Sequence, residues 1–332
     1  MPGWVVPAFV ASSAVSLFAS ARLVQALERL GAYFGLPEVL LGLLAALAAD
    51  SPELTSALAA ELAGQRATSV GVLFGSNVFN IAALLGLGSL VAGGVSLHRR
   101  VVLLEGLVAL AVAACALALV SGSLDGGATL GATAAVFVPY VALSVSPSRV
   151  PMPGAARRWL ARALKEESEE VAQAQSAPTS AGIRASLSIV ALSLVAVVAA
   201  STVMERAATT GGSSVGLPQA ITGGVVLAAV TSLPNAVAAV HLARSGKGQA
   251  VLSEAMNSNT LNVVGGLVLP AAVGGLALSG SGTAGTFAGS CYVAMTLLAS
   301  AVAYRSGGVG RRGAAALLGA YGAFLAGLVL VA

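Results

Sequence analysis

Two acidic side chains interrupt an apolar run near the start of the chain. Asp50 and Glu53 lie three residues apart, so that on a helix they share one face. In the next apolar run Ser76 and Asn80 have i, i+4 spacing, which places two more oxygen-bearing side chains in line. Carboxylate, hydroxyl and amide oxygens are ligands that Ca²⁺ and other hard cations take in proteins. The pattern indicates a cation-binding site in which carboxylates supply the charge.

The same polar pattern recurs in the second half of the chain at a constant offset in residue number. Thr231 and Asn235 repeat the i, i+4 spacing, and so do Ser258 and Asn262. One offset aligns these pairs without a gap: Pro52 with Pro234, Ser76 with Ser258, Asn77 with Asn259, and Asn80 with Asn262. The chain therefore contains an internal repeat, and each copy carries an oxygen-rich pair of segments.

A proline accompanies the polar residues in each copy of the repeat. Proline inside a helix removes one backbone hydrogen bond and leaves a carbonyl one turn earlier without its donor. Beside Pro52 and Pro234, such a carbonyl could turn toward a cation where protein or water surrounds it. The prolines are therefore expected to add backbone oxygens to the site.

The composition places these polar residues inside a membrane. Of the 332 residues, 57% are hydrophobic and only 9% are charged, whereas soluble proteins draw about a quarter of their residues from the charged types. The mean hydropathy is +0.91. The apolar runs are long and uninterrupted, which is typical of transmembrane helices rather than of short alternating strands.

Ten apolar runs are long enough to cross a bilayer, which takes about 20 residues. They are residues 5–27, 37–63, 68–93, 100–121, 127–146, 184–204, 216–243, 249–274, 282–304 and 313–331. Five precede and five follow the long polar segment at residues 147–183. Because each copy has an odd number of spans, the second copy must enter the membrane in the opposite orientation, as in many secondary transporters. We predict an all-α polytopic membrane protein with ten transmembrane helices, arranged as two inverted-topology five-helix repeats in residues 1–146 and 184–332.

The basic residues are divided unequally between the two sides of the predicted bilayer. Only Arg66 and Arg206 fall on the side of the termini, and the other 15 of the 17 Lys and Arg residues fall on the opposite side. Since basic residues collect on the cytoplasmic side, we expect both termini outside and the linker at 147–183 in the cytoplasm. The protein would lie in the plasma or inner membrane, with the lipid bilayer and inorganic cations as partners. The net charge of +4 gives no reason to expect nucleic acid.

The two polar motifs resemble the alpha repeats of the cation/calcium exchanger superfamily, to which the sodium/calcium exchangers belong. The family pattern is Gly-Thr-Ser-x-Pro-Glu followed by Gly-Ser-Asn-x-Phe-Asn or Asp, and the similarity covers about residues 40–88 and 222–270. The resemblance implies a ten-helix antiporter that exchanges Ca²⁺ for Na⁺ or H⁺ by alternating access. By position, Glu53 matches the ion-binding Glu of the first repeat. The other positions that match family ligands are Ser76, Asn80, Thr231, Ser232 and Ser258.

The chain departs from the family pattern at two acidic positions. Asn235 stands where the second repeat of the family has Glu, and Ala49-Asp50 stands where the first repeat has Thr-Ser. Asp50 could replace the lost acid, and so could Glu254, which lies one turn before Ser258. Without a replacement, one carboxylate holding Ca²⁺ would leave a net positive charge in a low-dielectric site.

We therefore expect a secondary active cation antiporter with Glu53 as its central ligand. The expected metal-binding residues are Glu53, Asp50, Ser76, Asn80, Thr231, Ser232, Asn235, Ser258, Asn262 and Glu254. Two alternatives stay open: a monovalent Na⁺/H⁺ exchanger on the same scaffold, because Asn235 lowers the charge of the site, and a membrane scaffold or sensor that has lost transport. The sequence contains no nucleotide-binding loop, nucleophile elbow or zinc-ligand spacing, so we expect neither an enzyme nor a bound cofactor.

Overall fold

The computed structural model describes residues 1–34, 36, 38–145, 154–155, 158–163, 165, 183–274 and 282–332. Nearly all of these residues are helical. Most of the predicted cytoplasmic linker at 147–183 lies outside the described residues, so its boundaries and its side of the membrane stay predictions.

The first half of the chain is helical throughout the described residues, apart from short turns and one strand. Its helices are α1 (Val5–Tyr33), α2 (Glu38–Ala49), α3 (Ser51–Leu62), α4 (Arg66–Asn80), α5 (Gly88–Ala92), α6 (Arg99–Val120) and α7 (Gly126–Val145). A π-helical segment, Ile81–Leu87, joins α4 to α5.

The second half is also mainly helical in its described residues. Its helices are α8 (Ile183–Ser214), α9 (Gln219–Ile221), α10 (Ala228–Thr231), α11 (Leu233–Arg244), α12 (Gly248–Val263), α13 (Leu269–Gly274), α14 (Gly282–Ser306) and α15 (Arg311–Val331). The π-helical segments Thr222–Leu227 and Val264–Val268 join α9 to α10 and α12 to α13. Two short strands, β1 (Val95–Ser96) and β2 (Gly308–Val309), pair antiparallel and connect the halves.

Helices occupy the positions of all ten predicted spans. Among the described residues, seven helical segments are long and apolar enough to cross a membrane, and the bent pair Gln219–Thr231 with Leu233–Arg244 would be an eighth. The predicted span at 37–63 is divided into two helices of 12 residues each, α2 and α3, and the predicted span at 249–274 contains polar motif residues that lower its hydropathy. The chain is therefore an all-α polytopic membrane protein, as predicted.

Two helices are longer than their apolar runs indicate. Helix α1 continues to Tyr33 and α8 to Ser214, whereas the predicted spans end at residues 27 and 204. Backbone hydrogen bonds can continue a helix into water, so the end of an apolar run marks the lipid boundary rather than the helix end. These two helices pack along each other, with the Ser16 and Ser201 hydroxyl oxygens 2.7 Å apart.

The two proline-containing spans break at equivalent positions. Helix α2 gives way to α3 at Asp50, with Pro52 in the first turn of α3. Helix α10 gives way to α11 at Ser232, with Pro234 in the first turn of α11, and the segments on either side are bent by 46°. The offset that aligns Pro52 with Pro234 also aligns Asp50 with Ser232. The repeat in the sequence is therefore a repeat in the backbone.

Glycines bring the two halves into direct backbone contact. A Cβ atom at Gly75 of α4 would collide with the carbonyl oxygen of Gly224, and one at Gly223 would collide with the carbonyl oxygen of Thr68. Only glycine allows two helices to approach this closely. Helix α4 consequently lies near the centre of the protein. Of an 18-residue apolar stretch within residues 66–92, 89% is buried, against 22% of the corresponding stretch within α15.

Candidate cation-binding site

Asp50 and Glu53 lie side by side where α2 breaks into α3, and both are fully buried. The Ser232 hydroxyl donates a hydrogen bond to Glu53 Oε1 at 3.0 Å. Asn235 Nδ2 donates to Asp50 Oδ1 at 2.9 Å, and the Ser258 hydroxyl donates to the same oxygen at 2.8 Å. The acids of the first half therefore face α11 and α12 of the second half.

The two acid contacts are related by the internal repeat. At the offset that aligns the two prolines, Asp50 is equivalent to Ser232, and Glu53 is equivalent to Asn235. The Ser232–Glu53 and Asn235–Asp50 hydrogen bonds are therefore symmetry counterparts. In each bond the first half accepts and the second half donates, so the backbone repeat holds a chemically asymmetric site.

Four asparagines join the halves beside these acids. Asn77 Nδ2 donates to the Asn259 backbone oxygen at 3.2 Å, and Asn259 Nδ2 donates to the Asn77 backbone oxygen at 2.9 Å. Asn80 Nδ2 donates to Asn259 Oδ1 at 3.1 Å, and its counterpart Asn262 Nδ2 donates to Asn77 Oδ1 at 3.2 Å. The amide hydrogens are thus directed across the repeat axis.

Four buried oxygens of the acids and asparagines have no hydrogen-bond partner within the described residues: Asp50 Oδ2, Glu53 Oε2, Asn80 Oδ1 and Asn262 Oδ1. All four are acceptors. Buried polar atoms are normally paired, and an unpaired one calls for an explanation such as a bound ion or water. In the described part of the chain, neither Asp50 nor Glu53 forms a salt bridge with a basic residue. The arrangement is chemically suited to a cation.

Three other predicted ligands are either bonded to the preceding turn of backbone, as Ser76 and Thr231 are, or partly exposed, as Glu254 is. The Ser76 hydroxyl donates to the Leu73 carbonyl oxygen at 3.1 Å, and the Thr231 hydroxyl donates to the Leu227 carbonyl oxygen at 3.0 Å. Both side chains are buried, and each is tied to the preceding turn of its own helix while its oxygen lone pairs can still accept or ligate. Glu254 lies on α12 one turn before Ser258 and is partly exposed.

One carbonyl expected to face a cation is occupied. Because Pro52 has no N–H group, the Ala48 carbonyl oxygen lacks its helical donor. It accepts hydrogen bonds from the Ser51 hydroxyl at 2.7 Å and from the Ser20 hydroxyl of α1 at 2.8 Å. Sequence reasoning did not single out Ser20, since a serine in an apolar run carries no sign of its partner.

Sequence reasoning also gave no role to the contact between Glu105 and Ser253. Glu105 of α6 is buried, and the Ser253 hydroxyl of α12 donates to its Oε1 at 2.5 Å. Because five residues on a helix correspond to a rotation of about 140°, Ser253 and Ser258 lie on different faces of α12. Glu105 lies six residues into a long apolar run, and that depth is the signal that could have identified it.

Both halves of the chain match a known family. The profile of the family described as sodium/calcium exchanger protein matches residues 4–146 and 185–330. The chain is 26% identical to the Inner membrane protein YrbG of Escherichia coli (strain K12) over 258 residues, which is 77% of this chain and 76% of that protein. It is 34% identical to the "Putative antiporter CaxA" of Alkalimonas amylolytica over 96 residues, which spans 28% of this chain and only 30% of that relative.

A solved structure shares the fold. The crystal structure of H⁺/Ca²⁺ exchanger CAX superimposes with a TM-score of 0.73 and 14% sequence identity, covering 98% of this chain and 86% of that chain. At this identity the likeness concerns the arrangement of helices.

Proposed function

Because the chain belongs to the sodium/calcium exchanger protein family, we propose that it is a secondary active antiporter that exchanges Ca²⁺ for Na⁺ or H⁺ through a site near the middle of the membrane. The family is one of exchangers rather than enzymes. The observation that carries the proposal is the pair of buried acids, Asp50 and Glu53, each with one carboxylate oxygen that has no hydrogen-bond partner among the described residues.

The negative charge of the two buried acids, Asp50 and Glu53, supports cation exchange. A charged residue in the centre of a membrane helix costs roughly 2.5–3.5 kcal/mol on insertion scales, and such residues usually mark ion pathways. Asp50 and Glu53 lack basic partners among the described residues, so inorganic cations or protons must balance their charge. A site that needs positive charge in every state is suited to exchange, because one cation can leave only when others replace it.

The proposed ligands are those of the sequence analysis. Glu53 is the central ligand, Asp50 contributes the second carboxylate, and Asn80 and Asn262 contribute amide oxygens. The supporting ligands are Ser76, Thr231, Ser232, Asn235, Ser258 and Glu254. Ca²⁺ takes six to eight oxygens, and this set can provide that number.

Alternating access would come from movement of the two repeats about their contact. The glycine contact between α4 and the segment Thr222–Leu227 would let helices slide closely past one another. The protein would lie in the plasma or inner membrane, as the name of the E. coli relative also suggests, with both termini outside and the 147–183 linker in the cytoplasm.

Flux measurements in inverted membrane vesicles test the proposal. Uptake of radioactive Ca²⁺ driven by an outward Na⁺ or H⁺ gradient, and abolished by Glu53→Gln, would support it. Glu61→Gln is the matched control, since Glu61 lies on the same helix but pairs with Arg66 at 3.7 Å. Absence of gradient-driven Ca²⁺ uptake in the unmodified protein would contradict it.

A monovalent Na⁺/H⁺ exchanger is the second candidate, and Asn235 is the observation that favours it. An amide at this position removes the second acid that the family pattern has. Proton movement coupled to Na⁺ but not to Ca²⁺ would support this function. No flux of either kind would favour a scaffold or sensor.

A further inference from the structure

We infer that Asp50 and Asn235 have exchanged the acid and neutral roles of the two repeats, so that both charges of a divalent-cation site come from the first half. The inference rests on the proposed function and adds the charge class of the ion. Asp50, rather than Glu254, is then the residue that compensates for the amide at position 235.

The positions of the residues argue for an exchange across the repeat axis. Asn235 is the equivalent of Glu53, and Asp50 is the equivalent of Ser232. An acid is missing from the second repeat and an additional acid is present in the first. The segments that contain Asp50 and Asn235 meet at the axis that relates the repeats, so an acid on either segment faces the same candidate site.

The contact between the two residues argues for the same conclusion. Asn235 Nδ2 lies 2.9 Å from Asp50 Oδ1, and both side chains are buried. A glutamate at position 235 would place a second anion against Asp50 in a low-dielectric environment, which is strongly unfavourable without a cation. An acid at position 50 therefore favours an amide at position 235.

Hydrogen bonding also orients the Asp50 carboxylate. Asn235 and Ser258 both donate to Oδ1, while Oδ2 has no hydrogen-bond partner in the described part of the chain. Glu53 shows the same division, with Oε1 bonded to Ser232 and Oε2 unpaired. Asn235 is thus a positioning residue that fixes one carboxylate oxygen and leaves the other to bind the ion.

The charge balance then selects the ion. Two buried carboxylates neutralise one divalent cation, whereas one carboxylate would leave it with an uncompensated positive charge. Glu254 is partly exposed, whereas Asp50 and Glu53 are fully buried, so the two buried acids are the better placed pair for one cation. Asp50 and Glu53 together supply two negative charges. Asp50 thus replaces the charge that is lost where Asn235 stands instead of a glutamate.

A reciprocal pair of substitutions tests the inference in proteoliposomes that contain the full chain. We expect Asp50→Ser to lower the apparent affinity for Ca²⁺ in exchange by about thirtyfold or more, as expected for loss of a buried charge partner. Asn235→Glu alone should also impair Ca²⁺ exchange because it adds a third acid beside the first two. The double variant Asp50→Ser/Asn235→Glu should recover Ca²⁺ exchange to within about fivefold of the unmodified protein.

Several outcomes would overturn the inference. One is an unchanged Ca²⁺ affinity in Asp50→Ser. Another is a double variant that folds, as judged by gel filtration, but exchanges Ca²⁺ no better than the worse single variant. Greater loss of Ca²⁺ affinity in Glu254→Gln than in Asp50→Asn would assign the second charge to Glu254 instead. If the double variant does not fold, the stabilisation of Asp50→Asn by Ca²⁺ against thermal unfolding decides the question. Loss of this stabilisation supports the inference, and its retention contradicts the inference. Failure of the unmodified protein to exchange Ca²⁺ would instead contradict the proposed function itself.

Discussion

Asn77 and Asn259 each donate a side-chain amide hydrogen to the backbone carbonyl oxygen of the other, at 3.2 and 2.9 Å. The two residues occupy equivalent positions in the repeat. The axis that relates the halves therefore passes between them, within one helical turn of the candidate site. This reciprocal contact joins the halves where the proposed cation would bind.

Removal of either asparagine should destabilise the protein. Asn77→Ala removes the side-chain donor to the Asn259 backbone oxygen and the acceptor of the Asn262 amide, and an unsatisfied buried group costs about 1–3 kcal/mol. We expect a lower midpoint of thermal unfolding in detergent, and a similar drop for Asn259→Ala. The two substitutions remove different hydrogen bonds within one pair of contacting residues, so the loss in the double variant should depart from the sum of the single losses. Strictly additive losses would show that the contact does not couple the halves.

The glycine contact between the halves should not tolerate a methyl group. Gly75→Ala places a Cβ against the Gly224 carbonyl oxygen, and overpacking of this kind costs about 1–3 kcal/mol or more. We expect a reduced yield of monodisperse protein and a lower unfolding temperature. Gly131→Ala is the control, because a Cβ there meets no atom within 4 Å. Equal behaviour of the two variants would mean that the close approach is absent in the membrane.

Ser232 and Thr231 should differ in their effect on ion binding although they are neighbours. The Ser232 hydroxyl donates to Glu53, whereas the Thr231 hydroxyl donates to its own helix. Ser232→Ala removes a hydrogen bond to a carboxylate, which is worth about 1.5–3 kcal/mol, so the Ca²⁺ concentration for half-maximal exchange should change by about tenfold or more. We expect a smaller change for Thr231→Val, measured in the same vesicles. The reverse order would show that Thr231 is the more important ligand.

The predicted orientation can be tested with cysteine labelling. Ser214 and Ser245 are both exposed at helix ends, and the distribution of basic residues predicts that Ser214 is outside and Ser245 is in the cytoplasm. In a chain whose Cys115 and Cys291 are replaced by alanine, a membrane-impermeant thiol reagent added to intact cells should label Ser214→Cys only. Ser245→Cys should react only after the membrane is opened. Labelling in the opposite pattern would reverse the assigned topology.

The helical membrane architecture and the position of the candidate site follow from the order of the amino acids alone. Hydropathy located the ten helical regions because burial in lipid requires long apolar runs. The constant offset between matching residues identified the repeat, since equivalent positions keep similar residues. Asp50 and Glu53 were apparent because acids are rare at that depth.

The pairing of the polar groups, in contrast, depends on how the helices pack. That Asn235 bonds Asp50, that Ser232 bonds Glu53, and that Ser20 occupies the carbonyl freed by Pro52 could not be read from spacing. Such contacts join segments far apart in the chain. A serine or asparagine on an apolar helix has several possible partners, and the packing of the helices selects among them.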